Sequence, residues 1–256
     1  MHSHHFFRCL LLLPLLLLAC QETSPPALSQ PAQAVSLPVS SPSAASITPC
    51  GAEAYAAVRQ HIREKRMALA RQYQGAAASS RNSLLAQAMD SLVHSLVEKI
   101  FPCWYGTPWT FEGHTDQPGE GSIACGYFVS TTLKHIGFNL NRYRLAQQAA
   151  LPIIRSLTQN VQRFRSPQAC LDFVAAHPGE LFILGQSYHV GFLYAAPEGV
   201  QFIHAGYFPP TRVCREAART SDTFEQSEVW VVGSLNQHPE LARKWLSGEK
   251  VSIITP

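Results

Sequence analysis

Cys125 and His189 are the side chains of this 256-residue chain whose surroundings suit covalent chemistry. Cys125 follows a glycine-rich loop, Pro118-Gly119-Glu120-Gly121-Ser122, and opens an apolar-periodic stretch beginning Cys125-Gly126-Tyr127-Phe128-Val129, whose spacing predicts a helix. A thiol at a helix N-terminus meets the positive end of the dipole, which favours thiolate over thiol and makes the sulfur a nucleophile. His189 heads an alternating segment, Tyr188-His189-Val190-Gly191-Phe192-Leu193-Tyr194, that reads as a strand. A turn at Pro197-Glu198-Gly199 leads to a second strand, Phe202-Ile203-His204-Ala205, carrying another histidine. A cysteine, a histidine to take its proton and a second histidine to orient the first make a nucleophilic triad.

Such a site needs a scaffold, and the chain changes texture along its length in a way that outlines one. From Cys103 onward, glycines, prolines, aromatics and short β-rich runs predict an α+β domain over 102–256, a normal domain size of about 150 residues. Residues 51–101 carry helix formers with apolar positions at helical spacing: Tyr55, Val58, Ile62, Met67 and Leu69, then Leu84, Leu85, Met89, Leu92, Leu96 and Ile100. A break between Gly75 and Asn82 divides this extension into two helices. Residues 20–50 are mostly Ser, Pro, Ala and Gln, a composition that buries no core and predicts a tether. Residues 1–19 contain the apolar run Leu10 to Leu18, too short to span a bilayer, and read as a cleaved signal.

The formal net charge is +3 with 14% charged residues, which carries no nucleic-acid footprint, so no nucleic-acid partner is expected. Arg142, Arg144, Arg155, Arg163 and Arg165 form a loose cluster that reads as a solvated face. Setting aside Cys9, Cys20 and Cys125 leaves Cys50, Cys103, Cys170 and Cys214. Four thiols permit two disulfides in three pairings, or free buried cysteines.

Taken in order, the blocks over residues 104–206 resemble the NlpC-type family of papain-like cell-wall peptidases. Tyr105-Gly106-Thr107-Pro108-Trp109 is similar to the family's tyrosine and the turn that follows it. Ala124-Cys125-Gly126 stands where the family usually has Asp-Cys-Ser-Gly. Gly137 and Arg144-Leu145-Ala146-Gln147-Gln148 follow where the family has a glycine, Pro-Arg and a glutamine. Pro178-Gly179-Glu180-Leu181 resembles the strand leading into His-Val-Gly, and Phe202-Ile203-His204-Ala205 the strand with the third catalytic residue. The resemblance implies a papain-like fold, with the nucleophile at the N-terminus of a helix packed on a small antiparallel sheet. It implies Cys125 as nucleophile, His189 as base, His204 as orienting residue and Tyr105 as an oxyanion donor beside the Cys125 N–H. Peptide amide bonds, above all those of peptidoglycan, would be the substrate, with no cofactor and no metal.

The sequence Leu17-Leu18-Ala19-Cys20 in turn resembles a bacterial lipoprotein signal, which implies cleavage before Cys20 and lipidation of its thiol. More than one acyl chain makes such an anchor stable. Gln21, in place of Asp, implies the outer membrane, with the protein facing the periplasm. Two other readings compete. A catalytically inactive lipoprotein of this fold would bind cell wall or a partner protein. A zinc hydrolase would draw on His114, Asp116, His189, His204 or Cys125, but no His-x-x-x-His helix or Cys-x-x-Cys pair supports it.

Overall fold

The computed structural model describes residues 48–255. The expected signal, Cys20 and most of the expected tether lie outside them. Alternating apolar residues in the second half of the chain build one antiparallel sheet of six strands: β1 (Gln159–Phe164), β2 (Leu181–Gly185), β3 (Val190–Ala196), β4 (Gly199–Ala205), β5 (Val213–Ala217) and β6 (Trp230–Ser234). Their order is β1-β6-β2-β3-β4-β5, so the hairpin β3–β4 lies next to the β5 edge. Together with the helices this makes an α+β architecture.

The central strand β2 is buried along its whole length because helices cover both faces of the sheet. Leu181, Ile183, Phe192 and Ile203 face one core; Phe182, Leu184, Leu193 and Phe202 face the other. The first core is filled by α1 (Ala52–Gly75), α2 (Ala78–Ser95), the π-helical turn Leu96–Ile100, α3 (Phe101–Trp104), α4 (Cys125–His135) and residues from α5 (Arg142–Ala146), α6 (Ala150–Leu157) and α9 (Pro239–Ser247). The second is covered by α7 (Pro167–Ala175) and α8 (Asp222–Glu225). α1 buries Tyr55, Ile62 and Leu69, one per two turns, the stripe of a surface helix. α2 buries a wider stripe, Leu85, Ala88, Met89, Leu92 and Val93, because it lies deeper. Among the described residues no helix is long and apolar enough to cross a membrane.

Everything around α4 serves to hold it. Eight of its eleven residues are buried, and Phe128 touches Phe101, Trp104 and Phe192 in an aromatic cluster with centroids 5.8, 6.3 and 6.1 Å away. At its C-terminal end the Trp104 indole donates to the Tyr55 hydroxyl (2.8 Å); the hydroxyl then has its own proton to place, and His135 Nδ1, 3.0 Å away, is the acceptor in reach. Arg66 donates to the carbonyls of Gly137 and Trp245, and the Trp245 indole donates to the Ile136 carbonyl. The extension is thus part of the scaffold that fixes the helix bearing the cysteine. A Cys50–Cys103 disulfide joins the start of α1 to the end of α3, while Cys170 and Cys214 are free. Of the two disulfides that the cysteine count permits, the described residues contain this one. Closing a loop of 53 residues, it removes unfolded-state entropy equivalent to about 4 kcal/mol in the chain-entropy model.

Candidate active site

Cys125 is the first residue of α4, and Ala124 ahead of it offers no side chain to cap the helix. The first-turn N–H groups, which have no partner within the helix, therefore stay available. The N–H groups of Val190, Gly126 and Cys125 itself act on the sulfur and favour its thiolate, but burial outweighs them and raises the thiol above its ordinary pKa. The helix start alone thus does not make the resting sulfur a thiolate. Gly126 is explained by packing: a Cβ there would lie 2.6 Å from the Ala146 carbonyl oxygen, so only glycine lets α5 cross the first turn of α4.

His189 stands at the end of the β2–β3 turn, where the Gln186 N–H donates to the His189 carbonyl (2.8 Å). The Gln186 side chain anchors this turn by donating to the Thr223 and Phe224 carbonyls of α8. His189 Nε2 lies 3.0 Å from His204 Nδ1, and His204 Nε2 lies 3.1 Å from Glu216 Oε1 on β5. His204 stacks on Phe202, rings 3.8 Å apart and nearly parallel. Gly191 makes that arrangement possible, since a Cβ there would meet Phe202 Cε2 at 2.7 Å and His204 Cβ at 2.9 Å.

The carboxylate at the end of this chain decides the tautomers. Burial works to raise the Glu216 carboxyl, but His204 and nearby Ser221 outweigh it and hold it below its usual value, so it is ionised at neutral pH. An ionised carboxylate only accepts, so His204 donates from Nε2 and keeps a lone pair on Nδ1. His189 must then donate from Nε2, which leaves the lone pair on its Nδ1. That atom is buried and has no hydrogen-bond partner. Burial lowers the pKa of both histidines, that of His189 far below the ordinary value with His204 adding to it, so both imidazoles rest neutral.

Cys125 and His189 line one cleft of about 200 Å³, together with Gln148, Gln186, Ser187 and Tyr188. A larger cleft of about 410 Å³, between α7 and β4, contains neither residue. Tyr207, in the loop after β4, packs its ring 5.3 Å from that of His189, and a thiolate at Cys125 adds to the burial that raises its hydroxyl pKa. Tyr105 has other surroundings. Its hydroxyl is buried, Arg215 lies close to it but outside good hydrogen-bond geometry, and the other ionisable groups that act on it are Glu98 and Cys214. It packs against the first core as an aromatic, and Tyr207 is the tyrosine beside the cysteine and base.

Sequence reasoning missed Glu216 and Tyr207. The available signal for Glu216 was the alternation Cys214-Arg215-Glu216 on a strand after His204, which sets two polar side chains on one face. Tyr207 lies in an irregular loop and had no signal beyond its nearness to His204. Arg142, read as part of a solvated face, is buried instead. It donates to the His114 and Thr115 carbonyls, Thr131 Oγ1 and the Tyr143 hydroxyl, which pins the loop before Cys125 to α4. His114 itself engages the Glu112 carbonyl within that loop. His204, Cys214 and Glu216 bring one donor atom each within 4.8 Å of one another, the only such group of three or more among the described residues. Comparison with protein-family models, curated proteins and solved structures finds no match to this chain.

Proposed function

We propose that the chain is a lipid-anchored cysteine hydrolase of the papain-like NlpC type that cleaves peptide amide bonds, with peptidoglycan stems or cross-links as the substrate. The observation that carries this reading is that His189, whose buried Nδ1 has no hydrogen-bond partner, lines the same cleft as Cys125 and ends a hydrogen-bonded chain from Glu216. An orphaned buried acceptor is costly to a fold, by about 1–3 kcal/mol, and here it is the group that a thiol proton needs.

In this mechanism both partners start neutral, so His189 Nδ1 takes the Cys125 proton as sulfur attacks the carbonyl carbon. The imidazolium that forms is stabilised through His204 by the Glu216 carboxylate, which supplies the charge that a His204 orienter alone would lack. The N–H of Cys125 and the hydroxyl of Tyr207 meet the oxyanion. His189 Nδ1–H then protonates the departing amine, leaving a thioester, and the same nitrogen activates the water that hydrolyses it. The Cys50–Cys103 disulfide supports an oxidising compartment, in keeping with export and a periplasm-facing anchor at Cys20 on the outer membrane.

Incubating the protein and its Cys125→Ala variant with peptidoglycan sacculi, followed by muropeptide analysis, tests the reading. New stem-peptide fragments from the unaltered protein alone support it. Identical profiles from both proteins sink wall hydrolysis.

A further inference from the structure

The strand pair that orients the base also builds a second site. His204 Nε2 lies 3.1 Å from Glu216 Oε1 and 3.6 Å from Cys214 Sγ, and all three donor atoms lie within 4.8 Å of one another. A tetrahedral zinc ion, with bonds of about 2.0–2.1 Å to nitrogen and oxygen and about 2.3 Å to sulfur, separates its N and S ligands by about 3.6 Å and its N and O ligands by about 3.3 Å. His204 thus already stands from Glu216 and from Cys214 at nearly the spacing that such an ion imposes. The Cys214 and Glu216 donors, within 4.8 Å of each other, need at most a small closing movement. The three side chains border a polar cavity of about 110 Å³ that Asp222, Thr220 and Thr223 also line, which leaves room for a water as the fourth ligand. The Glu216 side chain is 34% exposed, which gives an ion a way in.

We propose that this cluster is a regulatory site for a zinc-class divalent cation, and that occupancy switches off the base by reversing the His204–His189 hydrogen bond. The effect on Cys125 rests on the relay proposed above; the binding itself does not. Zinc takes the His204 Nε2 lone pair, so that nitrogen gives up its proton, and Cys214 releases its own proton to solvent on becoming a thiolate ligand. His204, still neutral, must then carry its proton on Nδ1 and donate to His189 Nε2. His189, still neutral, carries its proton on Nδ1. Each imidazole keeps one proton throughout, but the lone pair on His189 Nδ1 is gone, and the Glu216 carboxylate is spent on the metal. Cys125 is left without an acceptor for its proton. Neither Cys125 nor His189 is a ligand, so the ion acts from behind the site while the substrate cleft stays open.

The test uses the purified protein, zinc alone as the probe, and two readouts in parallel. Competition against a chromophoric chelator measures zinc stoichiometry, and iodoacetamide labelling followed by peptide mass spectrometry measures the alkylation rate at Cys125. The expected result is one zinc bound per chain, a Cys125 alkylation rate lowered about tenfold or more in its presence, as loss of a positioned base implies, and recovery on chelation. In Cys214→Ala the zinc should not bind at that stoichiometry, and the ratio of Cys125 rates with and without zinc should approach one. Protection of Cys125 that persists in Cys214→Ala overturns the proposal, because the ion would then sit on the nucleophile. So does zinc bound through Cys214 with no change at Cys125. If both proteins prove inert toward sacculi yet zinc still slows Cys125 in a Cys214-dependent way, the hydrolase reading fails and the switch stands.

Discussion

Two buried histidines in this molecule sit on hydrogen-bonded chains that end in opposite kinds of group. The chain at His135 starts from neutral donors: the Trp104 indole donates to Tyr55, and Tyr55 donates to His135 Nδ1. The chain at His189 ends in a carboxylate, and the polarity it sets leaves His189 Nδ1 with a lone pair and no partner. Burial lowers the pKa of both rings, that of His135 to about 3, so burial alone does not tell a scaffold histidine from a candidate base. The direction of the hydrogen bonds does. At His135 the acceptor is used up in holding α1 to α4, whereas at His189 it is left without a partner, on a ring that lines the cleft of Cys125.

The comparison breaks first at its chemical end. His189→Ala removes the acceptor, and sacculus hydrolysis should fall by about 10³-fold or more, read as the initial rate of fragment release. Unfolding in denaturant should show the fold intact, since the orphaned His189 Nδ1 goes while the lone pair of the buried His204 Nδ1 is left unpaired in its place, and the two changes offset. A variant that keeps near full activity would return His189 to the structural class. Glu216→Gln is subtler. The amide can turn its NH₂ toward His204 Nε2 and reverse both imidazoles, so the rate should fall by about 10²-fold or more by analogy with a triad held in the wrong tautomer. Recovery in Glu216→Asp would mark charge and direction as the property that matters.

The two tyrosines sharpen the same contrast. Tyr207→Phe should lower kcat by about 10²-fold with little change in KM, the signature of one lost oxyanion donor. Tyr105→Phe should leave kcat within about threefold, because its hydroxyl faces Arg215, Glu98 and Cys214 and the ring keeps its packing. Equal losses in the two variants would restore Tyr105 to the site. At the scaffold end, Tyr55→Phe strips a partner from both Trp104 Nε1 and His135 Nδ1, and should cost about 1–3 kcal/mol of stability in denaturant unfolding while Cys125 alkylation stays as it was.

Local signals carried much of this. Cys125 at the head of a helix, His189 at the head of a strand and His204 on the next strand are readable because periodicity and turns are short-range. Gly191, a glycine inside a strand pattern, marks a close approach, but what approaches is the His204 and Phe202 side chains, which depends on pairing across β3 and β4. Glu216 and Tyr207 were not legible, since the first acts through a strand pairing and the second through a loop path. Tyr105 shows the opposite failure: a family position put it at the oxyanion, while its surroundings here are Arg215, Glu98 and Cys214. The disulfide was confined to a small set of pairings, and only the packing of α1 against α3 selects Cys50 with Cys103. Arg142 reads as a surface charge by composition because nothing local announces four acceptors gathered from a loop and two helices.

The smallest effect is a slope, and it tests whether the two histidine chains share their electrostatics. Burial first, with Arg59 adding to it, holds His135 near pKa 3, whereas in the unfolded chain it titrates near 6.5. Above about pH 6.5 the ring is neutral in both states and contributes no slope. As pH falls below that, the unfolded chain takes up a proton that the folded protein refuses, so stability is lost progressively towards pH 3, at about 1.4 kcal/mol per pH unit for each such group. His189 and His204, also lowered by burial, act in the same direction. In the window from pH 6.5 to 5 these histidines act together with His238, which burial also lowers, while the lowered Glu216 carboxyl protonates only below 4.5. His135→Gln keeps an acceptor for Tyr55 and removes the titration, so denaturant unfolding across that window should lose about one proton's worth of slope. Hydrolysis should keep its pH profile, since His135 lies at the far end of α4 from Cys125. A slope unchanged in His135→Gln would mean that the ring is charged when folded, and the contrast between the two chains would then rest on geometry alone.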